Sequence, residues 1–329
     1  MPEQAREQHI PVQTSDFARQ VLTELGVPSA PLTPAGGWSN AVWRTPTHVV
    51  RISSGRFVRS FAHEIATLQL LPTTVPHAKV CAYGQVGPRE WMIQERVPGE
   101  TLFDAWPTLT PTSQRAAITQ LGAILRALHD VPLPIGFANP WATAALLPGG
   151  QPQNAYHPPP TQYALLIEAV LRIPDGDPAM IHAAGAFIEA RLPAFRGDTL
   201  VLVHDDMHFS NIIWADGAIT ALLDFEGAKV APADQELDTF LRFAREPEDY
   251  RGPHQSQRLT TEAVRDVPQY LRAAYPVLFL HPRHNERLAV YEALWQLVQL
   301  LNFAATDGVR VHYARLTTLL REGERWRAY

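Results

Sequence analysis

The chain has 329 residues, 46% of them hydrophobic, which is enough for two lobes or domains and argues against disorder. Its net charge of −5 is spread over mixed signs without a basic stripe, which speaks against nucleic acid as a partner. A single cysteine, Cys81, rules out an internal disulfide framework; with no stretch near the roughly 20 apolar residues of a membrane span and a polar start lacking a signal-peptide core, the expected setting is cytoplasmic, away from membrane.

In chain order, Ser15–Leu25 carries apolar residues at 17, 18, 21, 22 and 25, a helical stripe opened by the capping-type pair Thr14-Ser15. After the breaker-rich Gly26–Pro34 come Ala35-Gly36-Gly37-Trp38-Ser39-Asn40 and two strand-like runs, Ala41–Thr45 and Val49–Ser53. Glycine lets backbone N–H groups approach an anion closely, so Gly36 and Gly37, with Ser39 and Asn40 behind them, read as a phosphate-covering loop; a plain turn is the competing account. No Gly-Lys-Ser/Thr ending follows, which excludes a Walker A loop. Ser60–Leu71 reads as a helix with Phe61, Ile65 and Leu68 on one face, and Val80–Gln85 and Trp91–Val97 read as strands stopped by Pro98-Gly99.

Beyond this point helices dominate. Pro111 stands at a first helical position behind a capping Thr110, and Ala117, Ile118, Leu121, Ile124, Leu125 and Leu128 form one stripe. Asn139–Pro160 is rich in proline and has Gly149-Gly150, as expected of an irregular lid or binding loop, with Tyr156 and His157 as its candidate substrate contacts. Tyr163–Leu171 and Ala179–Phe195 read as helices that lead into LVLVHDDMHFSNIIWADGAITALLD, residues Leu200 to Asp224.

There a buried strand, Leu200–Val203, ends at His204-Asp205-Asp206, and Asn211–Trp214 and Ala218–Leu223 flank Asp216-Gly217, a strong hairpin signal. With Asp216-Gly217 as a two-residue turn, Asn211 lies across from Leu222, and Asp224 is its diagonal neighbour at about 7–8 Å. An amide oxygen and a carboxylate so placed suit Mg²⁺, while Asp206, in the loop entering the hairpin, is placed to accept a proton from a hydroxyl. Alternatively, the His-Asp-Asp-Met-His run at 204–208 is a transition-metal site of a hydrolase.

His204-x-Asp206-x₄-Asn211, followed by Leu223-Asp224-Phe225, resembles the catalytic loop and metal-binding segment of the protein-kinase-like fold, and is more closely similar to the aminoglycoside phosphotransferase and choline kinase-like family of small-molecule kinases. The resemblance implies an α+β, bilobal fold. Residues 1–97 would be a nucleotide-binding lobe, an antiparallel sheet plus helix ending in a hinge, and residues 98–329 a mostly helical catalytic and substrate-binding lobe. It implies Asp206 as catalytic base, Asn211 and Asp224 as Mg²⁺ ligands, and His204 as a brace for the loop. Val49-Val50-Arg51-Ile52 has the shape of the kinase third-strand Val-Ala-Ile-Lys, so Arg51 would clamp phosphates and pair with Glu64; an exposed Arg and a solvated Glu are the alternative. Gln94, Glu95 and Val97 would form the hinge against the purine of ATP or GTP. Two positions depart from pattern: Asp205 stands where many members carry Gly, and Glu226 where protein kinases carry the Gly of Asp-Phe-Gly.

After Asp224 a helix is due near Asp234, too soon for an activation segment, and no Ala-Pro-Glu anchor follows; this favours a small hydroxyl acceptor, such as an aminoglycoside, a related antibiotic or a small metabolite, over a peptide. Glu236 is expected to brace the loop. The acids Asp234, Glu236, Asp238, Glu246, Glu248 and Asp249, interleaved with Arg242, Arg245 and Arg251, read as a solvated helix face. Thr261–Tyr275 and Arg283–Phe303 are expected as helices, the second with Leu288, Tyr291, Leu294, Trp295, Val298 and Leu301 inward. The sequence therefore points to an ATP- or GTP-dependent kinase of small molecules, against an inactive nucleotide-binding module on the same fold or a metal-dependent hydrolase.

Overall fold

The computed structural model describes residues 12–27, 31–35, 40–53, 61–87, 89–137, 158–174, 176–252, 255, 258–304 and 306–323. Gly36, Gly37, Ser39, Tyr156 and His157 lie outside the described residues. The chain forms two compact units, the first from Met1–Val131, Asp206–Glu226 and Phe240–Tyr275, the second from Pro132–Asp205, Gly227–Thr239 and Pro276–Tyr329.

The first unit opens with helix α1 (Val12–Glu24) and a five-stranded antiparallel sheet: β1 (Thr33–Pro34), β2 (Asn40–Arg44), β3 (His48–Ser53), β4 (Val80–Val86) and β5 (Arg89–Glu95), in the order β1-β2-β3-β5-β4. The period-2 alternation of β3 decides which side chains go where. Val50 and Ile52 point to one face, where they pack with Ile93 against Ala18, Val21 and Leu22 of α1. Arg51 and its cross-strand partner Met92 point to the other, toward helix α2 (Phe61–Leu68), whose Phe61 and Ile65 cover Met92. Cys81 is half-buried on β4; burial, then the charge of Glu95, pushes its thiol up, the opposite of what a nucleophile needs.

A smaller sheet follows, β6 (Glu100–Thr101), β8 (Ile212–Ala215) and β9 (Ala218–Leu222), in the order β6-β8-β9. After the short helix α3 (Leu102–Ala105) comes α4 (Pro111–His129), capped as expected by Thr110, whose Oγ1 accepts from the Ser113 N–H. Gly122 sits where α4 meets a later helix: a Cβ there would come within 2.7 Å of the Ala274 Cβ. The expected helix Thr261–Tyr275 divides into a turn at Glu262–Val264 and a helix, Val267–Ala274, restarted by Pro268, which needs no N–H partner in a first turn.

In the second unit β7 (Leu200–Val203) pairs antiparallel with β10 (Lys229–Pro232). Helices α5 (Tyr163–Val170) and α6 (Pro178–Glu189) pack with two C-terminal helices, His284–Asn302 and Val309–Glu322, around Leu166, Ile181, Leu294 and Leu316. The helix His284–Asn302 corrects its expected single stripe. Arg287, Glu292, Gln296 and Gln299 are buried, whereas Leu288, Trp295 and Leu301 are only half-buried, because this helix is packed on several sides. The solvated acidic face is corrected too: Asp234, Glu236 and Asp238 are all buried. Among the described residues no helix is long and apolar enough to cross a membrane.

Candidate active site

Arg51 lies 8% exposed on the α2 face of the sheet. Its NH1 donates to Glu64 Oε1 at 2.6 Å and Oε2 at 2.8 Å, and its NH2 to Asp224 Oδ1 at 2.7 Å and Glu226 Oε2 at 3.4 Å. Neither the exposed Arg nor the solvated Glu of the alternative reading is found: Glu64 is 1% exposed. Burial by itself lowers the Arg51 pKa, but the Glu64 and Asp224 charges and hydrogen bonds more than offset it, so the guanidinium is held above its ordinary value and stays charged. Asn40, the first residue of β2, donates from Nδ2 to Glu226 Oε2 at 3.2 Å.

The loop after β7 is fixed at its backbone. His204 is fully buried and its N–H donates to Glu236 Oε1, so Glu236 braces the loop as expected. Asp205 adopts a left-handed φ of 68°, and its side chain meets Lys229 Nζ at 2.7 Å and Gln235 Nε2 at 3.0 Å. Where Gly would supply only the dihedral, Asp205 adds a buried ion pair. Asn211 Nδ2 then donates to the Asp206 carbonyl at 2.9 Å and to Asp206 Oδ2 at 3.2 Å. His208 joins them, with Nε2 3.6 Å from Asp206 Oδ2 and 3.2 Å from Asn211 Nδ2, and its ring lies against Tyr250.

The hairpin turn is as read: Asp216 and Gly217 both have positive φ, 51° and 82°, the signature of a type I′ turn. Its register is not. Trp214 faces Ile219, but a bulge shifts the pairing so that Ile213 faces Ala221 and Ile212 faces Leu222. Asn211 therefore leaves the strand for a short turn, Phe209–Asn211, and its carbonyl accepts from the Leu223 N–H at 2.8 Å instead of facing Leu222. The next residue, Asp224, takes a left-handed φ of 65°, rare without glycine, and presents its carboxylate to Arg51.

The structure thus brings Arg51, Glu64, Asp224 and Asn40 into one charge cluster, and joins Asp206 and Asn211 beside it through the backbone of Leu223. Gln94 and Glu95 end β5, with Val97 beyond it, outside that cluster. Among the described residues, the group of three or more convergent metal-ligand side chains is Glu64, Asp224 and Glu226, all oxygen donors, and neither His204 nor His208 is in it. That arrangement disfavours the hydrolase. Sequence reading missed the contacts of His208 and of Glu226; for Glu226 the signal was its departure from glycine.

A model of the phosphotransferase enzyme family matches residues 32–271, a span that contains both Arg51 and Asp224 with everything between. The chain belongs to the phosphotransferase enzyme family. Glucosamine kinase of Streptacidiphilus jiangxiensis is 39% identical over 85 residues, which are 25% of this chain and 18% of that protein. The fold is similar to that of ADP-bound aminoglycoside phosphotransferase APH(2'')-Ib, at 13% identity, with 96% of this chain and 99% of the other covered and a TM-score of 0.61. It is also similar to the GDP complex of aminoglycoside 2'-phosphotransferase-IIIa, at 15% identity, with 94% and 98% covered and a TM-score of 0.62. Aminoglycoside phosphotransferase APH(4)-Ia gives 15% identity, 94% and 99% coverage, and a TM-score of 0.62. The chain therefore has the α+β, kinase-like fold of the aminoglycoside phosphotransferases.

Proposed function

We propose that the protein transfers the γ-phosphoryl group of ATP or GTP to a hydroxyl of a small molecule, with Mg²⁺ as cofactor. The observation that carries this is a permanently charged, buried Arg51 bonded to both Glu64 and Asp224, in the same compact unit as the Asp206–Asn211 pair. Phosphoryl transfer asks for positioning and charge rather than covalent help from the protein. Arg51 clamps donor phosphates under a loop formed by Gly36, Gly37, Ser39 and Asn40, while Gln94, Glu95 and Val97 present backbone groups to the purine. Asp206 accepts the proton of the attacking hydroxyl. On this reading residues 1–97 bind the donor, and 98–329 hold the acceptor and the base.

The residues present fit Mg²⁺. Asn211 commits its Nδ2 to Asp206, which leaves its carbonyl oxygen as the ligand atom, and the Asp224 side chain, 31% exposed, bonds Arg51 through Oδ1 only. Two hard oxygens, completed by water and phosphate, are the usual protein share for this ion. When bound, it would neutralise the phosphate charge that grows during transfer.

The relatives' names converge on aminated sugars, so we place the acceptor in that class, and the protein in the cytoplasm with its nucleotide supply. Purified protein is incubated with Mg-ATP or Mg-GTP and a panel of amino sugars, aminoglycosides, plain sugars and choline-like alcohols. Acceptor-stimulated release of ADP or GDP that stops on chelation is expected, strongest with an aminated sugar. Nucleotide binding without release on any acceptor would instead make the chain an inactive module.

A further inference from the structure

We infer that Glu226 is a positioning residue for phosphoryl transfer, matched to arginine rather than lysine at position 51, an inference that rests on Arg51 as the phosphate clamp. Glu226 is 7% exposed and sits in the turn Phe225–Gly227, directly after Asp224. One oxygen, Oε2, receives both Asn40 Nδ2 at 3.2 Å and Arg51 NH2 at 3.4 Å. Asn40 opens β2, immediately behind the Gly36-Gly37 segment. A single buried carboxylate oxygen therefore ties the first residue of β2, the cation of β3 and the segment that carries Asp224.

The guanidinium makes this tie possible. Its planar fork gives NH1 wholly to Glu64 and leaves NH2 to be divided between Asp224 and Glu226. A lysine ammonium carries its three N–H donors on a single nitrogen, so seated on Glu64 in the place of NH1 it cannot also occupy the place of NH2, from which Asp224 and Glu226 are reached. The Arg51 half of the Glu226 contacts thus belongs to arginine at position 51, whereas the Asn40 half does not depend on it. Glu226 also has a distinct job in the reaction. Asp224 is asked to serve both Arg51 and the divalent ion, and a second carboxylate on NH2 keeps the fork aimed when the Asp224 bond loosens.

The test is a double-mutant cycle of Arg51→Lys and Glu226→Gln, read by KM and kcat with Mg-ATP and, separately, by the equilibrium Kd of ATP in EDTA, with thermal melts to confirm folding. In the arginine background Glu226→Gln is expected to raise KM and the metal-free Kd about tenfold with kcat within about threefold, and in the lysine background to change them less than about twofold. Glu226→Asp, which keeps the charge but withdraws it by one methylene, should fall between and replaces Glu226→Gln in the cycle if the latter fails to fold. Equal factors in the two backgrounds, with Arg51→Lys itself weakening ATP binding, would overturn the pairing and leave the clamp standing. An Arg51→Lys enzyme with unchanged ATP binding would overturn the pairing, and an Arg51→Ala enzyme with unchanged ATP binding would overturn the clamp as well.

Discussion

Two buried arginines, one in each unit, are ringed by carboxylates and differ in what those carboxylates leave open. Arg287, 2% exposed, gives Nε and NH2 to the two oxygens of Asp234 at 2.6 Å each, and NH1 to Asp198 Oδ2 at 2.6 Å and the Ala194 carbonyl at 2.7 Å. The Phe195 ring lies 4.4 Å from its guanidinium carbon, and Tyr291, whose pKa is driven well above normal by burial and then by Asp234, stays neutral and donates to Asp234. Arg51 is buried too, yet one of its carboxylates, Asp224, keeps a side chain 31% exposed, against 7% for Asp234. A closed ring makes a fold; a ring with an accessible member can exchange a partner for a ligand.

The contrast is sharpened most by removing charge on the reactive side. Asp206→Asn keeps the shape and the Asn211 contact region but not the base, so kcat is expected to fall by about 10³-fold with the melting temperature essentially unmoved. Nucleotide-consumption assays and calorimetric melts on the same preparation check both halves. Turnover within tenfold of wild type would show that Asp206 is not the base.

Arg287→Met is expected to do the reverse. It strands the buried carboxylate of Asp234 and the half-buried one of Asp198 and should destabilise the fold by about 3–5 kcal/mol, while folded molecules at low temperature keep their kcat. Denaturant melts read the loss. If Arg287→Met melts like wild type but loses turnover, the two arginines have been assigned the wrong way round.

What was legible in the sequence was short-range. The strand-like run Val49–Ser53, the Asp216-Gly217 turn and the Thr110-Pro111 cap each depend on neighbours in the chain, and each is where it was expected. The buried acids were misread because a carboxylate is buried only if a distant partner meets it: Arg287 lies 53 positions from Asp234, and His204 lies 32 from Glu236. Glu226 looked like a lapse from the glycine pattern until Arg51, 175 positions away, supplied its reason. The extra residue at Thr220 shifts the hairpin register by one, and alternation of apolar residues cannot register a bulge that leaves both strands apolar.

The smallest expected effect concerns a residue that combines both kinds of information, Asp205. Its left-handed φ of 68° is one that glycine adopts freely and other L-residues at a penalty of about 1–2 kcal/mol, so local conformation alone makes Asp205→Gly stabilising. Its carboxylate, however, is the partner of Lys229, whose side chain is 1% exposed, and it accepts from Gln235 as well. Taking the Asp205 carboxylate away from a buried ammonium costs about 3–5 kcal/mol, so the balance for Asp205→Gly is a net loss of about 2 kcal/mol. Adding Lys229→Met removes the stranded charge and fills its place with an apolar chain of similar length, which should return the double variant to wild-type stability or above it. Denaturant melts of the single and double variants decide the matter: a more stable Asp205→Gly would mean that the dihedral outweighs the ion pair.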